Sequence, residues 1–309
     1  MRLFLGVDGG QSSTTALVGD ESGRVIGVGR GGPSNHAGRA EGREKFLTAM
    51  RGCLRTAGFE SAEFESVCLG LSGGAADKEA LVRESIKSKH YLVTHDASIA
   101  LAGATAGEPG VVTIAGTGSI AFGRNAAGKT ARAGGWGYVF GDEGGGFDLV
   151  RQALRAALRY EEGWGPKTAL REALASSAGA TSANDLLHRF YTDEYPKERV
   201  AAFAKLVDRI ARDGDVAARE ILFAGAQQLA TLAGAVRAQL FEGAPCRISY
   251  LGGVFRSELL LGRFRMLMEL TEGNRVEEPL FGPAAGALIE AYRAVGLAVS
   301  LKDAPVEKG

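Results

Sequence analysis

Two glycine-rich loops, each lying between apolar runs of strand character, constrain this chain more than any other feature. The first is in residues 3–14, LFLGVDGGQSST, and the second in residues 111–123, VVTIAGTGSIAFG. In both, an apolar run stops at glycines, offers Ser or Thr hydroxyls and continues as a second apolar run. Glycine lets the backbone approach a ligand closely, so that successive N–H groups converge on an anion. Two such loops predict a nucleotide held between two related halves of the chain.

Composition supports this interpretation of the glycines. The chain has 45 glycines in 309 residues, about twice the usual share of ~7%. Nine lie in residues 1–32 and fourteen in residues 103–146, so local backbone geometry explains them better than disorder. Lys+Arg and Asp+Glu are balanced at 36 each, which argues against nucleic acid or an acidic membrane surface as a partner.

The sequence also lacks the usual signals for export. Asp8 interrupts the N-terminal apolar run, and no stretch approaches the ~18 apolar residues that cross a bilayer. Cys53, Cys68 and Cys246 have no CxxC spacing and are typical of buried thiols in a reducing compartment. We therefore expect a cytoplasmic protein without a membrane partner.

Hydrophobic periodicity predicts a repeated α/β pattern. For the first part it predicts strands at 3–7, 14–18, 24–29, 67–71 and 91–94 and helices at 40–56, 75–88 and 98–106. For the second part it predicts strands at 111–115, 120–124, 129–133 and 247–251 and helices at 216–240 and 283–295. The recurrence of strand, glycine loop and hairpin is typical of a duplicated domain.

The first glycine loop, residues 8–13, suggests metal and phosphate chemistry. Asp8 stands at the end of a strand, where a carboxylate can hold Mg²⁺ directly or through water. The phosphate contacts predicted beside it are Gly9, Gly10, Gln11, Ser12 and Ser13. The alternative is an ordinary hairpin turn with an Asx cap.

The second glycine loop, residues 116–119, provides the matching contacts. Gly116, Thr117 and Gly118 are predicted to bind the nucleotide phosphates, and Ser119 to face the group that receives the phosphoryl. Neither loop itself contains the Gly-Lys-[Ser/Thr] of a P-loop, so neither is interpreted as one. Each leads into a strand rather than a helix, so neither is a dinucleotide fingerprint. A purely structural turn is the alternative.

Asp96 is the candidate general base. It follows a strand at the start of a helix, where open α/β sheets bind ligands. A carboxylate there can accept a proton from a hydroxyl that attacks a γ-phosphate. A helix N-cap is the alternative role, and neighbouring His95 is interpreted as a bystander.

A dense glycine and acid cluster at 134–146 predicts a sugar site. Asp142 and Glu143 precede a helix and can bind sugar hydroxyls, while Trp136 can line a pyranose pocket. A surface loop is the alternative. Asn35 can donate to and accept from a sugar hydroxyl or amide; a turn residue without a ligand is the alternative. Gly252 and Gly253, after a strand, would let a nucleoside lie against the backbone.

In their order, these motifs resemble the sugar kinase, Hsp70 and actin superfamily. Within it the chain is similar to the N-acetylglucosamine kinase branch of the BadF/BadG/BcrA/BcrD ATPase family, over nearly its whole length. The resemblance depends on residues 6–13, 34–36, 69–74, 94–97, 116–119, 134–137, 141–144 and 251–254. It implies an α/β fold of two duplicated ribonuclease H-like (actin-like ATPase) lobes flanking a nucleotide cleft. The lobes would be 1–107, with the C-terminal helix 283–299 packing back on it, and 108–282 with a helical insertion.

The resemblance also implies roles for individual residues. Asp96 would be the catalytic base, and the sugar contacts would be Asn35, Ser119, Gly135, Trp136 and Asp142. The ATP contacts would be Ser12, Thr117, Ala226 and Gly252. Two departures from the family pattern are Gly9-Gly10-Gln11-Ser12 in place of three glycines and a threonine, and Ala37 where an aromatic often follows Asn-His.

The expected activity is ATP- and Mg²⁺-dependent phosphorylation of the 6-hydroxyl of an amino sugar, N-acetylglucosamine first. Glucosamine or N-acetylmuramic acid as substrate, or an ATP-hydrolysing regulator without sugar kinase activity, are the alternatives. The three cysteines do not offer the iron–sulfur ligands of activator ATPases, and the Cys/His zinc motif of ROK glucokinases is absent from the sequence. The preferred hexosamine and the oligomeric state, a homodimer included, stay open.

Overall fold

The structure is a computed structural model that describes residues 1–10, 13–34, 40–71 and 78–305. The chain divides into two compact units. Unit 1 comprises Met1–Gly110 and Glu278–Gly309, and unit 2 comprises Val111–Glu277. Within the described ranges, we find no helix that is long and apolar enough to cross a membrane.

Unit 1 contains one five-stranded mixed sheet with helices. Its elements are β1 (Leu3–Gly9), β2 (Thr14–Asp20), β3 (Val25–Gly31), α1 (Ala40–Ala57), β4 (Glu63–Leu71), α2 (Glu79–Ser85), β5 (Lys87–Thr94) and α3 (Asp96–Ala104). The last helix of the chain, α11 (Pro283–Arg293), also belongs to it. The strand order is β3-β2-β1-β4-β5; β1 pairs antiparallel with β2 and parallel with β4.

Unit 2 repeats that order and adds helices. Its strands are β6 (Gly110–Ala115), β7 (Ser119–Arg124), β8 (Thr130–Gly134), β9 (Cys246–Leu251) and β10 (Asn274–Glu277). Its helices are α4 (Gly146–Glu161), α5 (Leu170–Ser177), α6 (Ala183–Phe190), α7 (Lys197–Ala201), α8 (Ala204–Arg212), α9 (Val216–Phe241), a 3₁₀ helix (Gly253–Arg256) and α10 (Glu258–Glu269). The strands lie in the order β8-β7-β6-β9-β10, the order of unit 1, which confirms the predicted α/β fold with a duplicated domain.

Alternating side chains of β1 form the core of unit 1. Leu5 and Val7 pack with the buried face of α1, whereas Phe4 packs with α11, where its ring lies 4.4 Å from that of Tyr292. Gly6 faces α11 as well, because a β-carbon there would overlap the backbone of that helix. This period of two is the one expected for a strand buried on both faces.

The predicted helix at 75–88 is wrong in part. Helix α2 ends at Ser85, and β5 already begins at Lys87 and extends to Thr94. Residues 75–77 lie outside the described residues. Helix α3 begins at Asp96, two residues earlier than predicted. Element boundaries differ in this way because cross-strand pairing, which a local pattern does not contain, extends a strand.

Candidate functional site

The carboxyl ends of three parallel strands in unit 1 bring the predicted acids to one sheet edge. The register pairs Asp8 with Gly70, and Gly70 with Thr94. Asp96 follows Thr94 by two residues and opens α3. Asp8 is half-buried and Asp96 is exposed, so both lie where a parallel sheet presents its ligand-binding edge.

Asp96 is the first residue of its helix and not its cap. The cap is His95, whose Nδ1 accepts the Ser98 N–H at 3.2 Å. The Asp96 Oδ1 accepts the adjacent Ala97 N–H at 2.8 Å. His95, for which no role was predicted, therefore caps α3. This is the role that the sequence had offered as the alternative for Asp96. One oxygen of Asp96 is anchored to its own helix, which orients the carboxylate.

The described ends of the first glycine loop, Gly10 and Ser13, are hydrogen-bonded to each other. The Gly10 N–H donates to the Ser13 carbonyl at 3.0 Å, and the Ser34 N–H donates to the Gly10 carbonyl at 3.3 Å. Gly9 is buried against Leu71 and Ser34, and Ser13 is exposed. The predicted contacts Gln11, Ser12 and Asn35 lie outside the described residues.

The second glycine loop is bonded to the start of helix α4. The carbonyls of Gly116 and Thr117 accept the N–H groups of Gly146 at 2.8 Å and Phe147 at 3.0 Å. The buried Ser119 hydroxyl donates to the Glu143 carbonyl at 2.6 Å. The loop therefore has one fixed conformation, set by its own unit.

Asp142 lies directly over this loop. The Asp142 carboxylate occupies the space that a β-carbon on Gly118 would take. Asp142 itself adopts a left-handed φ of 63°, and its carbonyl accepts the Gly145 N–H at 3.0 Å. The Gly135 N–H donates to the Ser119 carbonyl at 2.9 Å. Gly118, Ser119, Gly135 and Asp142, singled out separately in the sequence, thus form one cluster.

Trp136 extends from this cluster with 65% of its surface exposed. The Arg132 guanidinium carbon lies 4.9 Å from the centre of its ring. An exposed indole in the same segment as the Asp142 carboxylate offers an apolar ring face, which suits a pyranose ring.

A pocket of about 570 Å³ adjoins the second glycine loop, a volume within the ~300–1,000 Å³ of small-molecule sites. Thr117 lines it from the loop and Gly253 from the 3₁₀ helix. Sequence reasoning missed most of its polar lining, which is Glu198, Lys205, Asp208, Arg212, Arg256 and Ser257. Asp208 accepts a short hydrogen bond from the Ser257 hydroxyl and pairs with Arg212 at 3.1 Å. Dispersed charged residues on helices carry no local motif, so no sequence signal identified them.

The remaining predicted ATP contacts differ in their surroundings. Gly252 has a φ of 104° and approaches the Ala115 carbonyl too closely for a β-carbon, while Gly253 faces open space. Ala226 is 0% exposed within the hydrophobic core of unit 2. It lies on the apolar stripe of α9, where core side chains cover its methyl group; its assignment as an ATP contact stays a prediction.

The cysteines are buried within the units, as expected. Burial raises the pKa of the Cys53 thiol to about 11 and that of Cys246 to about 12, and it also raises the pKa of Cys68. The thiols therefore stay protonated near neutral pH and do not act as thiolate nucleophiles.

We expect Gly252→Ala to lower the free energy of unfolding by about 1–3 kcal/mol, the usual range for a strained backbone position. The added β-carbon must tolerate a positive φ and overlap the Ala115 carbonyl. Gly253→Ala is the matched control, because its β-carbon meets no atom within 4 Å. Urea unfolding of both variants checks this; equal midpoints would contradict the close approach.

Comparison with known proteins identifies the family of this chain. The profile of the BadF/BadG/BcrA/BcrD ATPase family matches residues 5–291. The chain is 29% identical over 279 residues to the N-acetylmuramic acid/N-acetylglucosamine kinase of Clostridium acetobutylicum, covering 87% of this chain and 91% of that protein. It is 30% identical over 251 residues to the N-acetyl-D-glucosamine kinase of Dictyostelium discoideum, covering 76% and 79%.

A solved structure has the same fold. The crystal structure of a protein assigned as an N-acetylglucosamine kinase from Chromobacterium violaceum aligns with a TM-score of 0.75 at 24% identity. The alignment covers 94% of this chain and 98% of that one. With the family profile spanning both units, the family predicted from the ordered motifs is confirmed: this chain belongs to the BadF/BadG/BcrA/BcrD ATPase family.

Proposed function

We propose that this protein is an ATP-dependent kinase that phosphorylates the 6-hydroxyl of an amino sugar, N-acetylglucosamine in the first place. The observation that carries the proposal is the double role of the second glycine loop. Thr117 lines the 570 Å³ pocket, whereas Gly118 contacts Asp142 and Ser119 bonds to Glu143. The pocket, which would take the nucleotide, and the acidic cluster, which would take the sugar, border the same four residues, 116–119.

On the donor side, the 570 Å³ pocket of unit 2 would take the nucleoside, with Gly252 and Gly253 against it. Thr117 and the backbone of Gly116 and Gly118 would bind the phosphates. In unit 1, Gly9, Gly10 and Ser13 would add backbone and hydroxyl contacts, together with Gln11 and Ser12. The half-buried Asp8 carboxylate fits Mg²⁺, which keeps several waters and takes one or two carboxylates. When bound, the ion would neutralise charge on the phosphate oxygens.

On the acceptor side, the Asp142 carboxylate would accept hydrogen bonds from two sugar hydroxyls. Trp136 would pack its ring against the apolar face of the pyranose, with Gly135 and Ser119 fixing the backbone around it. Asn35 would form a hydrogen bond with a hydroxyl or the amide of the same sugar. These contacts orient the sugar, and orientation contributes most of the catalysis in phosphoryl transfer.

Asp96 would serve as the general base. As the sugar O6 attacks the γ-phosphorus, its proton would pass to the Asp96 carboxylate, and the bond from phosphorus to the bridging oxygen of ADP would break. The products are the sugar 6-phosphate and ADP. The anchoring of Asp96 Oδ1 by the Ala97 N–H supports the second oxygen as the proton acceptor.

We expect ADP release to depend on an amino sugar. Incubation with ATP and Mg²⁺ and either N-acetylglucosamine, glucosamine or N-acetylmuramic acid would identify the substrate, and ³¹P NMR would locate the phosphate. N-acetyl-6-deoxyglucosamine is the matched control, because it lacks only the attacking oxygen and should yield no sugar phosphate. ATP hydrolysis at the same rate with and without every sugar would favour the regulator instead.

A further inference from the structure

The segment that would carry the sugar contacts is poorly packed by itself. Between Gly135 and Asp142 the chain exposes 65% of Trp136, 62% of Val139 and 85% of Phe140. A local backbone bond, Gly141 N–H to the Gly137 carbonyl at 2.8 Å, closes a turn within it. Such a segment needs an anchor outside itself to hold one conformation.

Helix α4 provides that anchor through Asp148 and Arg151. Asp148 is 7% exposed, and its Oδ2 accepts the Gly144 N–H at 3.0 Å. Its Oδ1 accepts the Arg151 Nη2 at 2.6 Å. The other terminal nitrogen of the same guanidinium, Nη1, donates to the Tyr138 carbonyl at 3.2 Å.

These bonds tie both sides of Asp142 to a single turn of helix. Tyr138 precedes Asp142 and Gly144 follows it, and between them Asp142 adopts a left-handed φ of 63°. A non-glycine residue in that region persists when its surroundings hold it there. A carboxylate 7% exposed that is both ion-paired and hydrogen-bonded is a rigid point of attachment.

The geometry points to Asp148 and Arg151 as a positioning pair that holds Asp142 and Trp136 in the arrangement that binds the sugar. This inference rests on the proposed kinase function. In this role neither Asp148 nor Arg151 contacts the substrate. Both act by holding the 135–144 segment. Neither residue lines the 570 Å³ pocket proposed for the nucleotide, so we expect the pair to affect binding of the sugar more than binding of ATP.

The test uses Arg151→Lys in the full-length protein. Lysine keeps the positive charge beside Asp148 but lacks the planar fork that reaches Asp148 and Tyr138 together. We expect the KM for the amino sugar to rise about tenfold, the value of one charge-assisted hydrogen bond, with the KM for ATP within about twofold of the parent. Arg155→Lys, one helical turn further on at an exposed position of α4, is the matched control and should leave both constants unchanged.

A second readout does not depend on activity. Trp136 and Trp164 are the two tryptophans of the chain, so Trp164→Phe leaves Trp136 as the single reporter. The acrylamide quenching constant of the Trp136 fluorescence should differ from the parent value in Arg151→Lys. In Arg155→Lys it should equal the parent value. Asp148→Asn, which loses the ion pair but keeps an oxygen for the Gly144 N–H, should shift quenching in the same direction.

The outcomes separate the two proposals. A parent protein that phosphorylates no amino sugar contradicts the proposed function, and Trp136 quenching then decides on the positioning pair alone. Unchanged quenching in Arg151→Lys overturns the positioning role. In an active enzyme, an unchanged sugar KM, or equal increases in the KM for sugar and for ATP, would overturn it as well.

Discussion

Replacing Asp96 with asparagine is expected to lower kcat for sugar phosphorylation about 10²–10⁴-fold, the usual contribution of a positioned base. Asparagine has nearly the same shape and its amide oxygen can still accept the Ala97 N–H, but it does not take up the sugar proton. Steady-state kinetics with both substrates varied would measure the effect. The KM for ATP should change little, because the assigned role of Asp96 is toward the sugar hydroxyl.

A matched control separates the base from its effect on the helix. Glu79→Gln removes another exposed acid from the first turn of a helix in unit 1, in α2. It should leave kcat unchanged while losing a similar helix-dipole stabilisation, together with the exposed ion pair to Arg83. Turnover by Asp96→Asn within threefold of the parent would contradict the assignment of Asp96 as base.

Gly286→Ala is expected to lower the free energy of unfolding of unit 1 by roughly 3–5 kcal/mol. Changes of this size are exceptional and arise from severe overpacking. Gly286 lies where α11 crosses α3, and a β-carbon there would overlap the Ile99 carbonyl oxygen and the backbone nitrogen of Gly103. Both obstacles are backbone atoms, so the two helices would have to move apart. Urea unfolding followed by circular dichroism would measure the loss.

Gly52→Ala is the control for this experiment. Gly52 is also helical, in α1 of the same unit, and a β-carbon there meets nothing within 4 Å. Because alanine favours the helix more than glycine does, this variant should gain about 0.5–1 kcal/mol. Opposite signs for the two substitutions are the expected result; a midpoint for Gly286→Ala at or above that of the parent would contradict the close helix crossing.

Local patterns were sufficient for most of the fold. The apolar runs around residues 3–7 and 111–115 predict strands because their periodicity depends on neighbours in sequence, and both became central strands. The long helix α9 was predicted within one residue, from an apolar stripe that is buried in the structure. The same stripe explains why Ala226 is a core residue.

Some residues of the candidate site could be predicted from the sequence, and others could not. Asp142, Trp136 and the 116–119 loop could be singled out because glycines and acids cluster locally in the sequence. The pocket residues Lys205 and Asp208 lie on α8, whereas Ser257 caps α10, nearly fifty residues further along the chain. Their proximity arises from helix packing, which has no signature in a single sequence.

The sequence by itself determined the duplicated α/β pattern, the two glycine loops and the order of the motifs, because each depends on short-range periodicity or on residue type. The tertiary structure decided which groups meet. It brought the Asp142 carboxylate onto Gly118, made His95 rather than Asp96 the cap of α3, and tied the 135–144 segment to Asp148 and Arg151. These contacts depend on how backbones approach one another in space, and such distances are set only once the sheets and helices of each unit have packed.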